Sequence, residues 1–404
     1  MRGSPGRYVT VLDQVVSSAS NFSLVALAAR VSSPTDFGRF SLAYVVLIFV
    51  LGFQRALIGE VLLVKFSGSA AEPANSRAAL GLGLLVGLVA GLGLVVGGFV
   101  VPPGRAIWFS LAVATPVVVL QDVQRYIFIT LRRPALALLL DCIWLGLSLV
   151  LMVVAAQRGL PVTWVVGGWA LGALASALTG LALSRTPPRV GLGVRWVRQN
   201  RGLAVRFSAE FASLNASTAL VWFVLAGTLN AAGVAALRGA SLLFAPLNTA
   251  FNAVRIAMIP ELVRAWGKPR YRRSLAETGV ILLLLGAAWG STVLLLPDRW
   301  GRSLLGASWA SAEPLRLPNF AQAMAMVGYT VALAYYRSSG LHAHSSIMRG
   351  ALAVLTLAVP LTAAIVFGVP GAAWGFAVAV ALAVLIGAFW TRRAGGHERE
   401  GQPG

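Results

Sequence analysis

"AALGLGLLVGLVAGLGLVVGGFVV", residues 78 to 101, holds 24 successive residues without a charge, a polar side chain or a proline. A helix needs roughly 20 such residues to cross the hydrocarbon of a bilayer. The glycines within the run let a neighbouring helix approach closely, as helices do in lipid. The rest of the chain agrees with this reading. It is 58% hydrophobic and only 11% charged, with a mean hydropathy of +0.79, too little polar surface for a soluble domain of 404 residues. Alternation of polar and apolar residues over strand-length segments is absent, which disfavours a β-barrel. The single cysteine, Cys142, excludes an internal disulfide framework and a clustered-cysteine metal site. The first apolar segment is too polar for a cleavable signal peptide and lacks a small-residue cleavage site.

Working outward from 78–101, twelve spans are expected, near 8–30, 40–64, 79–101, 106–130, 135–156, 163–184, 204–229, 232–258, 274–297, 318–339, 346–368 and 371–391. The formal charge of +20 is distributed by side rather than spread evenly. With the N-terminus inside, 24 Lys/Arg fall in inner loops and 8 in outer ones, with Arg55 inside a span. That asymmetry orients both termini to the cytoplasm. The basic patches are then topology signals that also meet lipid headgroups, and no nucleic-acid partner is expected. Arginine outnumbers lysine 31 to 2, the usage of a GC-rich bacterium, so the expected location is a bacterial cytoplasmic membrane.

The loop "SRTPPRVGLGVRWVRQNRG" (184–202) divides the spans six and six. The segment 20–42 aligns with 215–237, placing Gly38 on Gly233, and "GLP" (159–161) matches "GVP" (368–370). The two offsets, 195 and 209, differ by about the extra length of the outer loop 298–317. A six-span unit duplicated in the same orientation follows. The expected architecture is an all-α polytopic membrane protein with about 12 transmembrane helices in two six-helix lobes around a central cavity. Its parts are a lobe over 1–184, a basic cytoplasmic linker over 185–203, a second lobe over 204–391 and a cytoplasmic tail over 392–404.

Four stretches in order carry a family resemblance: "SSPTDFGRFSLAYVV" (32–46), "NAAGVAALRGASLLFAPLNTAFNAVRIAMIPELVRAW" (230–266), "YYRSSG" (335–340) and "FGVPGAAWGFAVA" (367–379). Together they resemble polysaccharide flippases of the oligosaccharidyl-lipid/polysaccharide exporter type, in the superfamily of multidrug-and-toxin extruders and the lipid II flippase. The resemblance implies an alternating-access carrier without cofactor. Its cargo would be an undecaprenyl-pyrophosphate-linked oligosaccharide, carried outward for cell-surface polysaccharide synthesis. A proton or sodium ion is the implied coupling partner and the polysaccharide polymerase machinery an implied protein partner. The alternative is a proton- or sodium-coupled small-molecule exporter of the multidrug type. An enzyme is not expected: the longest outer loop holds only Asp298 and Glu313, far apart.

Polar and charged residues inside spans are functional candidates because burial of a charge in a bilayer is costly. Asp13, Gln14, Ser17, Ser18, Ser20 and Asn21 fall on one face of the first span at about 100° per residue. The seventh span repeats the theme with Ser208, Glu210, Ser213, Asn215, Ser217 and Thr218. These faces are expected to line a cavity, or else to bind helices together. Arg55 with Gln54, and Arg255 with Asn252, offer planar cations suited to a pyrophosphate. The alternatives are pairing of Arg55 with Glu60 or another carboxylate, and snorkelling of Arg255. Asp122 and Arg125 have the spacing of a local ion pair. Asp141 lies deep enough to pair with Arg125 or to take up a proton, so Asp13, Asp141 and Glu210 are the ion-coupling candidates. Asp13 also reads as a carboxylate near the cytoplasmic mouth. Pro246 and Pro260 are candidate hinges. His342 and His344 lack nearby acids, and no metal site is expected.

Overall fold

The structure is a computed structural model that describes residues 5–66, 73–101 and 104–400. Some side chains within these ranges, among them those of Asn252, Arg255, Pro260 and His342, lie outside the described residues. All regular structure described is helical. The chain runs through α1 (Pro5–Val31), α2 (Pro34–Gln54), a π-helical turn (Arg55–Gly59), α3 (Glu60–Phe66), α4 (Pro73–Val100), α5 (Arg105–Thr130), α6 (Pro134–Gln157) and α7 (Val162–Ser184). It continues through α8 (Val190–Gln199), α9 (Arg201–Leu243), α10 (Ala245–Ala265), α11 (Arg270–Leu294), α12 (Asp298–Leu305), α13 (Trp309–Ala312), α14 (Arg316–Ser338) and α15 (His342–Glu400).

Among the described residues, eight helices are both long and apolar enough to cross a membrane. One of them covers 48 residues of α15, which is broken at Gly368 (φ +64°) into the two expected last segments. α1, α10 and α14 have 27, 21 and 23 residues and so the length to cross, but carry more polar sequences. The protein is therefore an all-α, multi-pass membrane protein.

The chain separates into two compact units, Met1–Ala219 with Ser303–Ser308, and Leu220–Arg302 with Trp309–Gly404. In the first unit the 78–101 stretch does what its glycines suggest. A Cβ on Gly83 would lie 2.6 Å from the Val123 side chain, and one on Gly87 2.6 Å from the Pro116 Cα. A Cβ on Gly91 would lie 2.8 Å from the Ala112 carbonyl oxygen. Three glycines four apart thus form a bare stripe on α4 against which the α5 backbone rests. α6 and α7 meet through Trp144 and Trp169, whose rings lie 5.1 Å apart, with Trp144 Nε1 donating to the Trp169 carbonyl at 3.0 Å.

In the second unit Trp289 Nε1 donates to the Leu243 carbonyl at 2.9 Å, tying α11 to the end of α9. Arg316 donates to the carbonyls of Val293, Leu294 and Leu296 at 3.1–3.4 Å and to Glu313 at 2.8 Å. One guanidinium thus caps the C-terminal end of α11, where the Val293 carbonyl also accepts from Leu296 N at 3.3 Å. The two matched tripeptides share a backbone feature as well: Gly159 of "GLP" and Gly368 of "GVP" both take left-handed conformations, at φ +66° and +64°.

Two segments differ from the sequence reading. The stretch 185–203 is not a bare linker but contains α8, because Gly193 and Trp196 recur at helical spacing and bury one face against α4. The expected span 232–258 is divided at Phe244, and Pro246 falls in the first turn of α10 rather than within a continuous helix. At that position its missing N–H removes no helical hydrogen bond, so no kink is needed there. Pro260 lies within α10, and its side chain is outside the described residues.

Candidate functional site: a buried charge network

Gln121, Asp122 and Arg125 occupy one sector of α5, about 100° wide at 100° per residue. All three are at least 95% buried. Helix α1 brings Asp13 to this sector, α6 brings Asp141, α7 brings Ser176, and the π-helical turn after α2 brings Arg55. All of these residues belong to the first unit.

Arg125 is the hub. Its Nε donates to Asp13 Oδ2 at 2.7 Å and its Nη2 to Gln14 Oε1 at 3.2 Å. It also lies 3.2 Å from Asp141 Oδ2 and 3.7 Å from Asp122 Oδ1. Asp122 belongs mainly to Arg55, which grips it with Nε and Nη2 through three contacts of 2.8–3.2 Å. Gln121 Nε2 donates to Asp141 Oδ1 at 2.9 Å and also lies 3.4 Å from Ser176 Oγ, while that hydroxyl donates to the Leu140 carbonyl at 2.8 Å.

Burial decides what this arrangement costs and what it can do. The Asp13 and Asp141 side chains are each 1% exposed and that of Arg125 6%. Charges so far from water persist only when paired. With every group ionised, the network sets three carboxylates (Asp13, Asp122, Asp141) against two guanidiniums (Arg55, Arg125), an excess of one negative charge. The spare hydrogen-bonding capacity has the same sign. Asp13 Oδ1 and Gln121 Oε1 are buried acceptors that receive no hydrogen bond, and Asp141 Oδ2 meets Arg125 only through the 3.2 Å ion pair. The two arginines of the network therefore do not by themselves balance its three carboxylates.

The sequence candidates distribute unevenly around this network. Asp13 is fully buried and bonded to Arg125. The polar face of α1 divides into two adjacent sectors. Ser20, Asp13 and Ser17 are buried, whereas Gln14, Ser18 and Asn21 are more open. Asn21 is fixed by Ser17 and Tyr44, through contacts of 3.2 and 3.3 Å. Arg55 is paired with Asp122 rather than Glu60, and its side chain stays 32% exposed. Gln54, beside it, is fully buried, and neither of its polar atoms has a partner. Glu210 and Asn215 are exposed on α9, and Ser217 Oγ is buried without a partner. The side chains of Asn252 and Arg255 lie outside the described residues.

The sequence did not single out Gln121 or Ser176, nor the π-helical turn that presents Arg55. The first two are polar residues in apolar helices, a signal that was available. The π turn leaves no such mark. It widens one turn of helix by a residue, where Gly59 meets the Tyr126 ring with no room for a Cβ (2.7 Å from Cδ1).

No protein-family profile and no curated protein matches this sequence. Solved structures do. A multidrug resistance MATE family transporter of the MOP superfamily, in an inward-facing conformation, superposes with a TM-score of 0.72 at 13% identity, over 98% of this chain and 100% of that one. The lipid II flippase MurJ, in an inward closed conformation, superposes with a TM-score of 0.69 at 10% identity, over 95% of this chain and 87% of that one. A MOP superfamily transporter from Pyrococcus furiosus follows at 0.53 and 13% identity, over 97% and 96%. At these identities the likeness is one of fold: this chain has the fold shared by MOP superfamily transporters.

Proposed function

We propose that this protein is a cation-coupled carrier that moves an undecaprenyl-pyrophosphate-linked oligosaccharide across the cytoplasmic membrane by alternating access, with both termini inside. The coupling reading rests on one observation, the odd carboxylate of the buried network. A site with three acids and two fixed cations is neutral only when it holds one more positive charge. Gaining and losing that charge changes how strongly α1, α5 and α6 attract one another through Arg125. A carrier that must favour different conformations at different stages of its cycle can use such a switch. Asp13 and Asp141 are the proposed coupling residues. Glu210, exposed on α9, has no place in this network.

The cargo reading rests on the sequence resemblance, on the fold shared with the lipid II flippase, and on Arg55. That guanidinium is held by Asp122 through two of its nitrogens, on a side chain that as a whole is one-third exposed. A pyrophosphate reaching it would share or displace Asp122, which would tie anion binding to the charge state of the network. The second reading, export of a small molecule, is favoured by the acid excess itself and by the fold shared with a multidrug transporter.

Deleting the gene and analysing surface polysaccharide and lipid-linked intermediates separates the two readings. The flippase reading expects lost or shortened polysaccharide with intermediates held inside. Unchanged polysaccharide with no trapped intermediate, together with a new sensitivity to toxic small molecules, favours export instead.

A further inference from the structure

Helix α8 (Val190–Gln199) lies between the end of α7 and the start of α9, on the side that the arginine excess assigns to the cytoplasm. Its inner face is closed. A Cβ on Gly193 would meet Leu82 N at 2.6 Å and the Ala78 carbonyl oxygen at 2.9 Å, so the α8 and α4 backbones touch. Trp196 is 3% exposed and stacks near Phe66 at 6.2 Å. Asn200 closes the helix, with Lys65 Nζ donating to its Oδ1 at 2.6 Å. α8 is thus a rigid ledge rather than a tether.

Its outer face is different in kind. At 100° per residue, Arg195 and Arg198 sit within about 60° of each other, opposite Gly193 and Trp196, and Val194 and Val190 adjoin them on the Arg198 side. All four of these outward residues are exposed. Arg185, Arg189, Arg201 and Arg206, nearby in the chain, are also exposed, and none of the six arginines forms an ion pair with a described residue. No acid occurs from 184 to 209, and Glu210, the first beyond it, forms no ion pair with a described residue. The other long basic loop contrasts with this one, since there Arg273 is paired with Glu277 at 2.8 Å.

From this we infer that the outer face of α8 is a docking surface for anionic phospholipid headgroups, with Arg195 and Arg198 at its centre. A phosphodiester supplies acceptors and negative charge and no donors, the complement of what the surface offers. The two valines beside the arginines enter the acyl boundary, as on helices that lie in a membrane interface. A lipid is the partner that fits the combination of exposed valine, exposed arginine and position at the ends of two spans.

The test uses the purified full-length protein in mixed micelles of phosphatidylglycerol or phosphatidylcholine, with retained lipid counted by native mass spectrometry. Phosphatidylglycerol is expected to be retained preferentially. The double variant Arg195→Gln/Arg198→Gln, on exposed positions that leave the inner face intact, is expected to weaken that retention about 30-fold, from roughly 1 kcal/mol per arginine at an anionic surface. Arg273→Gln, in the other basic loop and already paired with Glu277, is the control and is expected to retain the lipid as wild type does. Equal retention of the two lipids, wild-type retention by the Arg195/Arg198 variant, or equal loss in the control would overturn the proposal. So would complete displacement of the lipid by inorganic phosphate, which would make the surface a site for free anions.

Discussion

Replacing Arg125 by glutamine is the most informative perturbation of the network, because its effect follows from charge arithmetic. The native cluster carries one excess negative charge when fully ionised; Arg125→Gln raises the excess to two. It also leaves Asp13 and Asp141, each 1% exposed, without the guanidinium that touches both at 2.7 and 3.2 Å. Removing one partner of a buried pair typically costs about 3–5 kcal/mol, chiefly because a charge is stranded. Asp13→Asn should be far milder. It brings the excess to zero while Arg125 keeps Asp141 and Asp122, so a loss of about 1–2 kcal/mol is expected, the scale of one hydrogen bond. The double variant Arg125→Gln/Asp13→Asn restores the native excess of one. It should recover about 1–3 kcal/mol of the loss caused by Arg125→Gln alone. Unfolding in mixed micelles of rising SDS content measures this through the fluorescence of the buried Trp144–Trp169 pair. If Asp13→Asn were as damaging as Arg125→Gln, or if the double variant were no more stable than Arg125→Gln, the network would not be held by charge compensation and the reasoning would fail.

Other consequences are simpler to state. Gly87→Leu should destabilise the first unit by about 1–3 kcal/mol through overpacking against Pro116, whereas Gly93→Leu, with open space at its Cβ, should be near neutral in the same unfolding assay. Arg316→Ala should release the carbonyls of Val293, Leu294 and Leu296. Faster hydrogen exchange in the last turn of α11, and little change elsewhere, is the expected reading. Ser33→Ala removes the cap whose Oγ accepts from Asp36 N at 3.1 Å and should cost about 0.5–2 kcal/mol, read as a lower unfolding midpoint.

The apolar run at 78–101 and its glycines made α4 and its manner of packing legible, because a helix contact built on bare backbone needs only local spacing. The depth of Asp141 likewise made a pairing with Arg125 one of two readings, beside proton uptake, and the structure shows that pairing. What local spacing does not carry is the rotation of one helix about another. That rotation assigns Asp122 to Arg55 across two helices in preference to Arg125 three residues away. It also turns Asp13 inward while Gln14, its neighbour in sequence, remains open. The basic loop hid α8 for a related reason: its arginines read as topology signals, while Gly193 and Trp196 carried a helical face too short to stand out.

The central claim is that the carboxylate left unbalanced in the network takes up and releases the coupling ion. Proteoliposomes holding the protein and a lipid-linked oligosaccharide, assayed for flipping with and without an imposed pH gradient, test it most directly. The account predicts that the gradient accelerates wild-type transport and that Asp141→Asn, folded and still able to exchange substrate, no longer responds to it. Wild-type flipping indifferent to both proton and sodium gradients, or an Asp141→Asn variant that follows the gradient as wild type does, would contradict the account.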